Sequence, residues 1–409
     1  MGGQGREQGA SPALGGPAKV RTKPGPAGTV GAGRILRARF AAMSVNQLPA
    51  ALAFRPELTG LRAVAVSIVL VQHWVRPAFP LGELGPSLFF VLSGYLVSGI
   101  IWKYGAWAGA PGPWARRLGT FYLRRALRIG PAYYLALAGC ALLPLAAVRA
   151  HPAWFLLPAA NLLTYQSRGW ADGVGHFWTI AVEVQFYLLW PWVLGLFGRR
   201  LGPLLALVGL SWLFRWGWSV GVRPDMVHLL LPANLDFFAL GAVLCLAQGR
   251  AWLLRLARGS YVLLAWLGWV ALRLLPDPGL GAALGAGVWL AATDFLTIAW
   301  LLHRPGAGPR LSLRHPAVQW VGRRSYGLYL FHLPLLVFWQ RLVYHFVPDA
   351  AGRAILIAPG PVLLALGPVL ALLGAASWRW VEAPIDRFKD RFRYADATPL
   401  SQPSRQPLG

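Results

Sequence analysis

Long apolar runs, separated by short clusters of arginine, glycine and proline, follow one another from residue 58 to residue 376. About 20 predominantly apolar residues suffice to carry a helix across a bilayer. About ten segments approach that length on this pattern: 58–74, 84–102, 131–148, 176–197, 201–220, 228–247, 261–275, 280–302, 321–346 and 355–376. The pattern predicts an all-α fold, a polytopic integral membrane helix bundle. Residues 1–53 are rich in Gly, Ala, Pro and Arg without apolar periodicity, which predicts a disordered basic tail and not a signal peptide, with Met43 as an alternative start. The chain is thus expected to divide into that tail, a transmembrane domain over 54–388 and a disordered C-terminal tail over 389–409. The segment WRWVEAPIDRFKDRF near its end reads as an amphipathic surface stretch.

The connections alternate in charge. Arg124, Arg125 and Arg128, the pair Arg199 and Arg200, Arg250 to Arg258 and the loop from Arg304 to Arg324 fall on one side; Arg76 with Glu83, Arg168 with Asp172, and Asp349 with Arg353 fall on the other. The positive-inside rule makes the basic side cytoplasmic and predicts that both termini are cytoplasmic. A formal net charge of +25 would suggest nucleic acid in a soluble chain, but 56% of these residues are hydrophobic and topology accounts for the arginines. Nucleic-acid binding is therefore not expected. Cys140 and Cys245 each sit in an apolar run, and the histidines lie in separate segments without ligand spacing, so neither a disulfide nor a metal site is expected.

Candidate chemistry comes from ionisable residues inside the apolar segments, which are costly there and normally face a cavity or a partner. In ELTGLRAVAVSIVLVQH, His73 follows Arg62 by eleven positions. On a straight helix they share a face roughly 16 Å apart along the axis. At about 1.5 Å per residue, His73 falls in the outer half, with Ser93, Glu183 and Asp236 about 14, 10 and 12 Å in from the outer face. Ser325, Tyr329 and His332 form a stripe on a later segment, as do His176, Thr179, Glu183 and Tyr187. Ser93 beside Gly94 also fits a close helix contact, Asp236 a helix-joining acceptor, and His332 an interior histidine with satisfied bonds. Arg124, Arg125 and Arg128 are either topogenic charges or a site for a polyanionic cytosolic ligand, since guanidinium forks match phosphate oxygens.

Six motifs in order carry a resemblance: RPELTGLRAVAVSIVLVQH, FFVLSGYL, RRALRIGP, FWTIAVEVQFYLLWP, SYGLYLFHLP and WRWVEAPI. Together they resemble acyltransferase family 3, membrane O-acyltransferases that modify bacterial O-antigen, peptidoglycan, exopolysaccharides and some antibiotics. Thr59 stands where many members have aspartate, and Thr179 where serine is frequent. The resemblance implies a bacterial cell-membrane enzyme that uses acyl-CoA, often acetyl-CoA, as donor substrate with no permanently bound cofactor. Its acceptor would be a hydroxyl of a carbohydrate, glycolipid or macrolide. Arg62, Arg125 and Arg128 would bind the donor, with a charge pair to a carboxylate as the alternative for Arg62. His73 would act as general base or transient acyl carrier, with Glu183 orienting its imidazolium. The hydrolase-like domain appended in some members is not in this sequence, so the chain is expected to act alone or to hand its acyl group to a partner. No G-x-S-x-G elbow precedes Ser93, which argues against a serine-hydrolase mechanism. A proton-coupled transporter or flippase is the alternative that the same intramembrane His, Glu and Asp would serve. Oligomeric state is not legible.

Overall fold

Proline at the first turn, followed by runs of Leu, Val, Ala and Phe, starts several of the helices that build the molecule, because a missing N–H costs nothing at a helix start. The computed structural model describes residue 2 and residues 54–76, 78–79, 81–104, 114–143, 145–222, 225–275, 280–303, 313–392 and 394. All but residue 2 lie in the second of two compact units, 46–409, which holds every described helix. The expected N-terminal tail otherwise lies outside the described residues.

The order is α1 (Pro56–Leu70, extended by a π turn, Val71–Val75), α2 (Leu84–Tyr104), α3 (Trp114–Leu142), short helices α4 (Ala146–Ala150), α5 (Pro152–Leu156) and α6 (Ala160–Ser167), α7 (Phe177–Phe197) and α8 (Leu201–Gly221). After two 3₁₀ turns come α9 (Leu235–Leu246), α10 (Ala251–Leu256), α11 (Gly259–Arg273), α12 (Leu280–His303), α13 (Pro316–Phe346), α14 (Ala350–Leu356), α15 (Pro359–Ser377, with a π turn, Trp378–Glu382) and α16 (Ala383–Phe388). No strand occurs among the described residues, so the all-α expectation holds.

Among the described residues six helices are long and apolar enough to cross a membrane: Pro56–Val75, Leu84–Tyr104, Phe177–Phe197, Leu201–Gly221, Gly285–His303 and Pro359–Arg391. Of the other expected spans, α9 and α11 are short, and α3 and α13 carry several arginines. The segment expected at 131–148 differs most. Its helix begins at Trp114 and takes in the arginines, with Pro131 inside it, because Phe121, Ile129, Ala132, Tyr133 and Ala136 continue one buried stripe through the proline. The span expected at 228–247 is broken by Pro232 into 3₁₀ turns before α9.

α1 and α13 run parallel: near their starts a Cβ on Gly322 would strike the Thr59 carbonyl, and further along His332, at the middle of α13, meets His73 and Trp74 at the end of α1. Glu57 and Arg314 form an ion pair at the start of this pair, and Gln319 Nε2 donates to the Pro56 and Leu313 carbonyls at 2.7 and 2.6 Å. α2 and α9 cross at Gly94 and Gly241, where an added Cβ on either would overlap backbone atoms of the other helix. The close helix contact expected at Ser93 is thus made by its neighbour, leaving the Ser93 hydroxyl free to bond elsewhere.

Candidate active site

Five helices that each bring one or more polar side chains to the bundle interior leave a cavity between them, with an empty volume of about 870 Å³ including its open mouth. α1 contributes Arg62, α2 contributes Ser93, α3 contributes Arg125 and Arg128, α7 contributes Thr179, Glu183 and Tyr187, and α13 contributes Ser325, Tyr326 and Tyr329. Helical spacing explains the convergence: Thr179, Glu183 and Tyr187 recur every four residues on one face, and Ser325 and Tyr329 do the same.

At the middle of the cavity Glu183 Oε1 accepts hydrogen bonds from Ser93 Oγ at 2.6 Å and from Tyr187 OH at 2.5 Å. Two short bonds to hydroxyls hold a carboxylate at a depth where it would otherwise be expensive. Toward the starts of α1 and α13 stand the guanidiniums. Arg125 lies over the rings of Tyr187 and Phe121 at 5.7 and 5.8 Å, and Arg128 lies over Tyr326 at 6.0 Å with Asp386 of α16 at 3.7 Å. Arg62 lines the same space with no hydrogen bond or ion pair among the described residues. Three cations against one lining carboxylate make this end suited to a polyanion. Arg124 is committed elsewhere: it donates to the carbonyls of Lys389 and Phe392 at 2.6 and 2.8 Å and faces Tyr394, which stacks on Tyr104. Contacts with the bundle are thus made by Lys389, Phe392 and Tyr394.

The opposite end of the cavity is lined by Tyr329, whose hydroxyl donates to the His176 carbonyl at 2.9 Å and lies 2.6 Å from Thr179 Oγ1. One turn further along α13 is His332, and around it a cluster of three imidazoles. His332 Nε2 is 3.3 Å from His73 Nδ1, and the His176 and His332 ring centroids are 4.8 Å apart. His73 sits in the π turn that ends with Arg76 in the left-handed region (φ 53°). Arg62 lines the cavity, while His73, about three turns further along, is absent from its lining and meets His332. Glu183 likewise has no hydrogen bond to His73 among the described residues.

Ser93, Ser325, Arg62, Arg125, Arg128 and Glu183 are thus brought together, with His332 and His73 beside them. Asp236 is not: buried on α9, it is bound by Arg215, Trp212 Nε1 (2.9 Å) and Ser211 Oγ (3.2 Å) of α8, the helix-joining alternative. Sequence reasoning did not single out Tyr326 or Asp386. The available signal for Asp386 was its place four residues after Glu382 on an amphipathic segment. Among the described residues no cluster of three or more His, Cys, Asp or Glu could hold a metal ion.

A family profile described as an acyltransferase domain matches residues 55–378. The chain is 26% identical over 327 residues to the peptidoglycan O-acetyltransferase of Listeria monocytogenes, covering 69% of this chain and 49% of that protein. It is 27% identical over 321 residues to a Bacillus subtilis protein provisionally named a peptidoglycan O-acetyltransferase, covering 69% and 48%. It is 24% identical over 315 residues to a Staphylococcus aureus protein provisionally named an O-acetyltransferase, covering 70% and 51%. The chain spans about half the length of the curated relatives it matches. No solved structure matches it.

Proposed function

Because the chain belongs to acyltransferase family 3, we propose that it is a membrane O-acyltransferase that moves an acyl group, acetyl by analogy with its relatives' names, from acyl-CoA to a hydroxyl of a carbohydrate-containing acceptor. Peptidoglycan is the acceptor named for two of the relatives; a glycolipid or macrolide would present the same group. The bundle crosses a bacterial cell membrane about ten times, with both termini in the cytoplasm.

The observation that carries this reading is the polarity of the cavity. Arg62, Arg125 and Arg128 line one end, fit for the phosphates of CoA, and Tyr329 lines the other, one helical turn from His332, which meets His73. A donor lying along it would hold its charged end at the arginines and bring its thioester toward the histidines. His73 then serves as general base. As the acceptor oxygen bonds to the thioester carbon, its proton passes to the imidazole; the C–S bond breaks with its electron pair on sulfur, and the proton returns to the thiolate. Glu183, held by Ser93 and Tyr187, balances charge within the cavity.

The test uses purified full-length protein in nanodiscs with radiolabelled acetyl-CoA and added glycans. A general base contributes about 10²–10⁴ in rate, so His73→Ala should lose that much acyl transfer while keeping its thermal unfolding midpoint. Acyl transfer near the wild-type rate in the variant would overturn the role of His73. No acyl-CoA consumption by the wild type, with chain length and acceptor varied, would overturn the function.

A further inference from the structure

His332 is buried, and both its ring nitrogens are engaged: Nδ1 lies 2.6 Å from the Tyr329 carbonyl oxygen and Nε2 lies 3.3 Å from His73 Nδ1. A carbonyl oxygen only accepts, so His332 Nδ1 carries a hydrogen, and in a neutral ring Nε2 is then a lone pair. That lone pair requires a donor, which His73 Nδ1–H supplies. The same N–H also points at the Val69 carbonyl at 2.9 Å. Two acceptors converging on one hydrogen specify the Nδ1–H tautomer of His73, leaving its Nε2 as the bare nitrogen of a half-buried ring. Trp74 Nε1 donates to the His332 carbonyl at 3.2 Å, fastening the π turn to α13 at this point. His176, with Nε2 3.1 Å from the Leu330 carbonyl, packs edge-on against the His332 ring.

We propose that His332 is the positioning residue for His73, its Nε2 lone pair holding the tautomer and ring orientation in which His73 Nε2 takes the acceptor's proton. This rests on the acyl-transfer reading above. The role is the one expected of Glu183, whose carboxylate is occupied by Ser93 and Tyr187. A neutral imidazole performs it without placing an anion at the far end of the cavity, where desolvation is costly. When His73 Nε2 receives the proton, the Nδ1–H of the resulting cation becomes a stronger donor to His332. The bond strengthens as charge develops and relaxes when the proton passes to the CoA thiolate. No group is oxidised or reduced.

The experiment compares full-length wild type, His332→Phe and His332→Gln in nanodiscs. Phenylalanine keeps the ring without the lone pair; glutamine restores an acceptor oxygen. His332→Phe is expected to lower kcat about 10- to 100-fold, within what the base itself contributes, with KM for acetyl-CoA unchanged, and His332→Gln to recover part of the loss. In a His73→Ala background His332→Phe should cost nothing further. A readout independent of turnover is the ¹⁵N spectrum of histidine-labelled protein, assigned by difference against His73→Ala. A protonated Nδ1 on His73 and a nitrogen–nitrogen coupling across the bond to His332 are expected in the wild type. A His73 that is protonated on Nε2 instead, or a His332→Phe variant with wild-type kcat, overturns the proposal. If the coupling is present while His73→Ala transfers acyl groups normally, the pairing stands and the reading of His73 as base is what fails.

Discussion

Glu183, half-buried, and Asp236, buried, are carboxylates of similar expected depth in opposite surroundings. Glu183 accepts from two neutral hydroxyls and lines a cavity with three arginines, whereas Asp236 is closed in by the guanidinium of Arg215 and the donors of Trp212 and Ser211. Removing one partner of a buried ion pair strands the other charge, at a cost of about 3–5 kcal/mol. Asp236→Ala is therefore expected to lower the thermal unfolding midpoint in detergent sharply, while the molecules that remain folded keep their turnover. Glu183→Gln should do the reverse, lowering turnover with a small change in midpoint, because the cavity leaves the amide room to rearrange. Thermal scans and kcat on the same preparations separate the two. Depth along a helix was legible in the sequence for both residues, but the partner was not. Arg215 and Trp212 lie on a neighbouring apolar segment with nothing in its pattern to mark them as facing Asp236.

The helices divide labour among residues that look equivalent in sequence. Arg124, Arg125 and Arg128 sit within five residues on α3, yet Arg125 and Arg128 line the cavity while Arg124 holds the chain after α16 through two backbone carbonyls. The helical step of 100° per residue makes the difference, since it turns adjacent side chains to different neighbours. Arg124→Ala is expected to expose the bonds after Lys389 and Arg391 to limited trypsin digestion and to leave KM for acyl-CoA near the wild-type value. Arg125→Ala should raise that KM about tenfold, the equivalent of about 1.4 kcal/mol, with the digestion pattern unchanged. Equal effects of both substitutions on KM would show that the arginines act as one group. The boundaries of α2, α7 and α8 were legible to within two residues because their apolar runs end in polar clusters. The π turn at Val71–Val75 was not, since its inserted residue leaves no mark on an apolar run. The extension of α3 back to Trp114 was hidden for a related reason: a helix that buries one apolar stripe and carries five arginines among its other positions resembles a basic loop when only average hydropathy is followed.

At the scale of the molecule, the arrangement has a direction. The arginine-lined end of the cavity lies toward the starts of α1 and α13, and the histidine cluster toward the end of α1 and the middle of α13. In the proposed orientation the first end opens to the cytosol, the compartment that supplies acyl-CoA, and the second faces the side where a cell-wall or cell-surface hydroxyl would be presented. The basic connections argue for that orientation by the positive-inside rule, independently of the cavity. Acyl-CoA is too highly charged to cross lipid unaided, so orientation can be read from which face consumes it. Sealed vesicles with the cytoplasmic face outward should consume added acetyl-CoA, and vesicles of the opposite orientation should do so only after permeabilisation. The reverse result would invert the topology, leaving the cavity and its arginines intact but moving the donor's entrance to the other side. Consumption by both sealed preparations would require a donor path that bypasses the arginine end, and Arg125→Ala would then leave turnover in one of them unchanged.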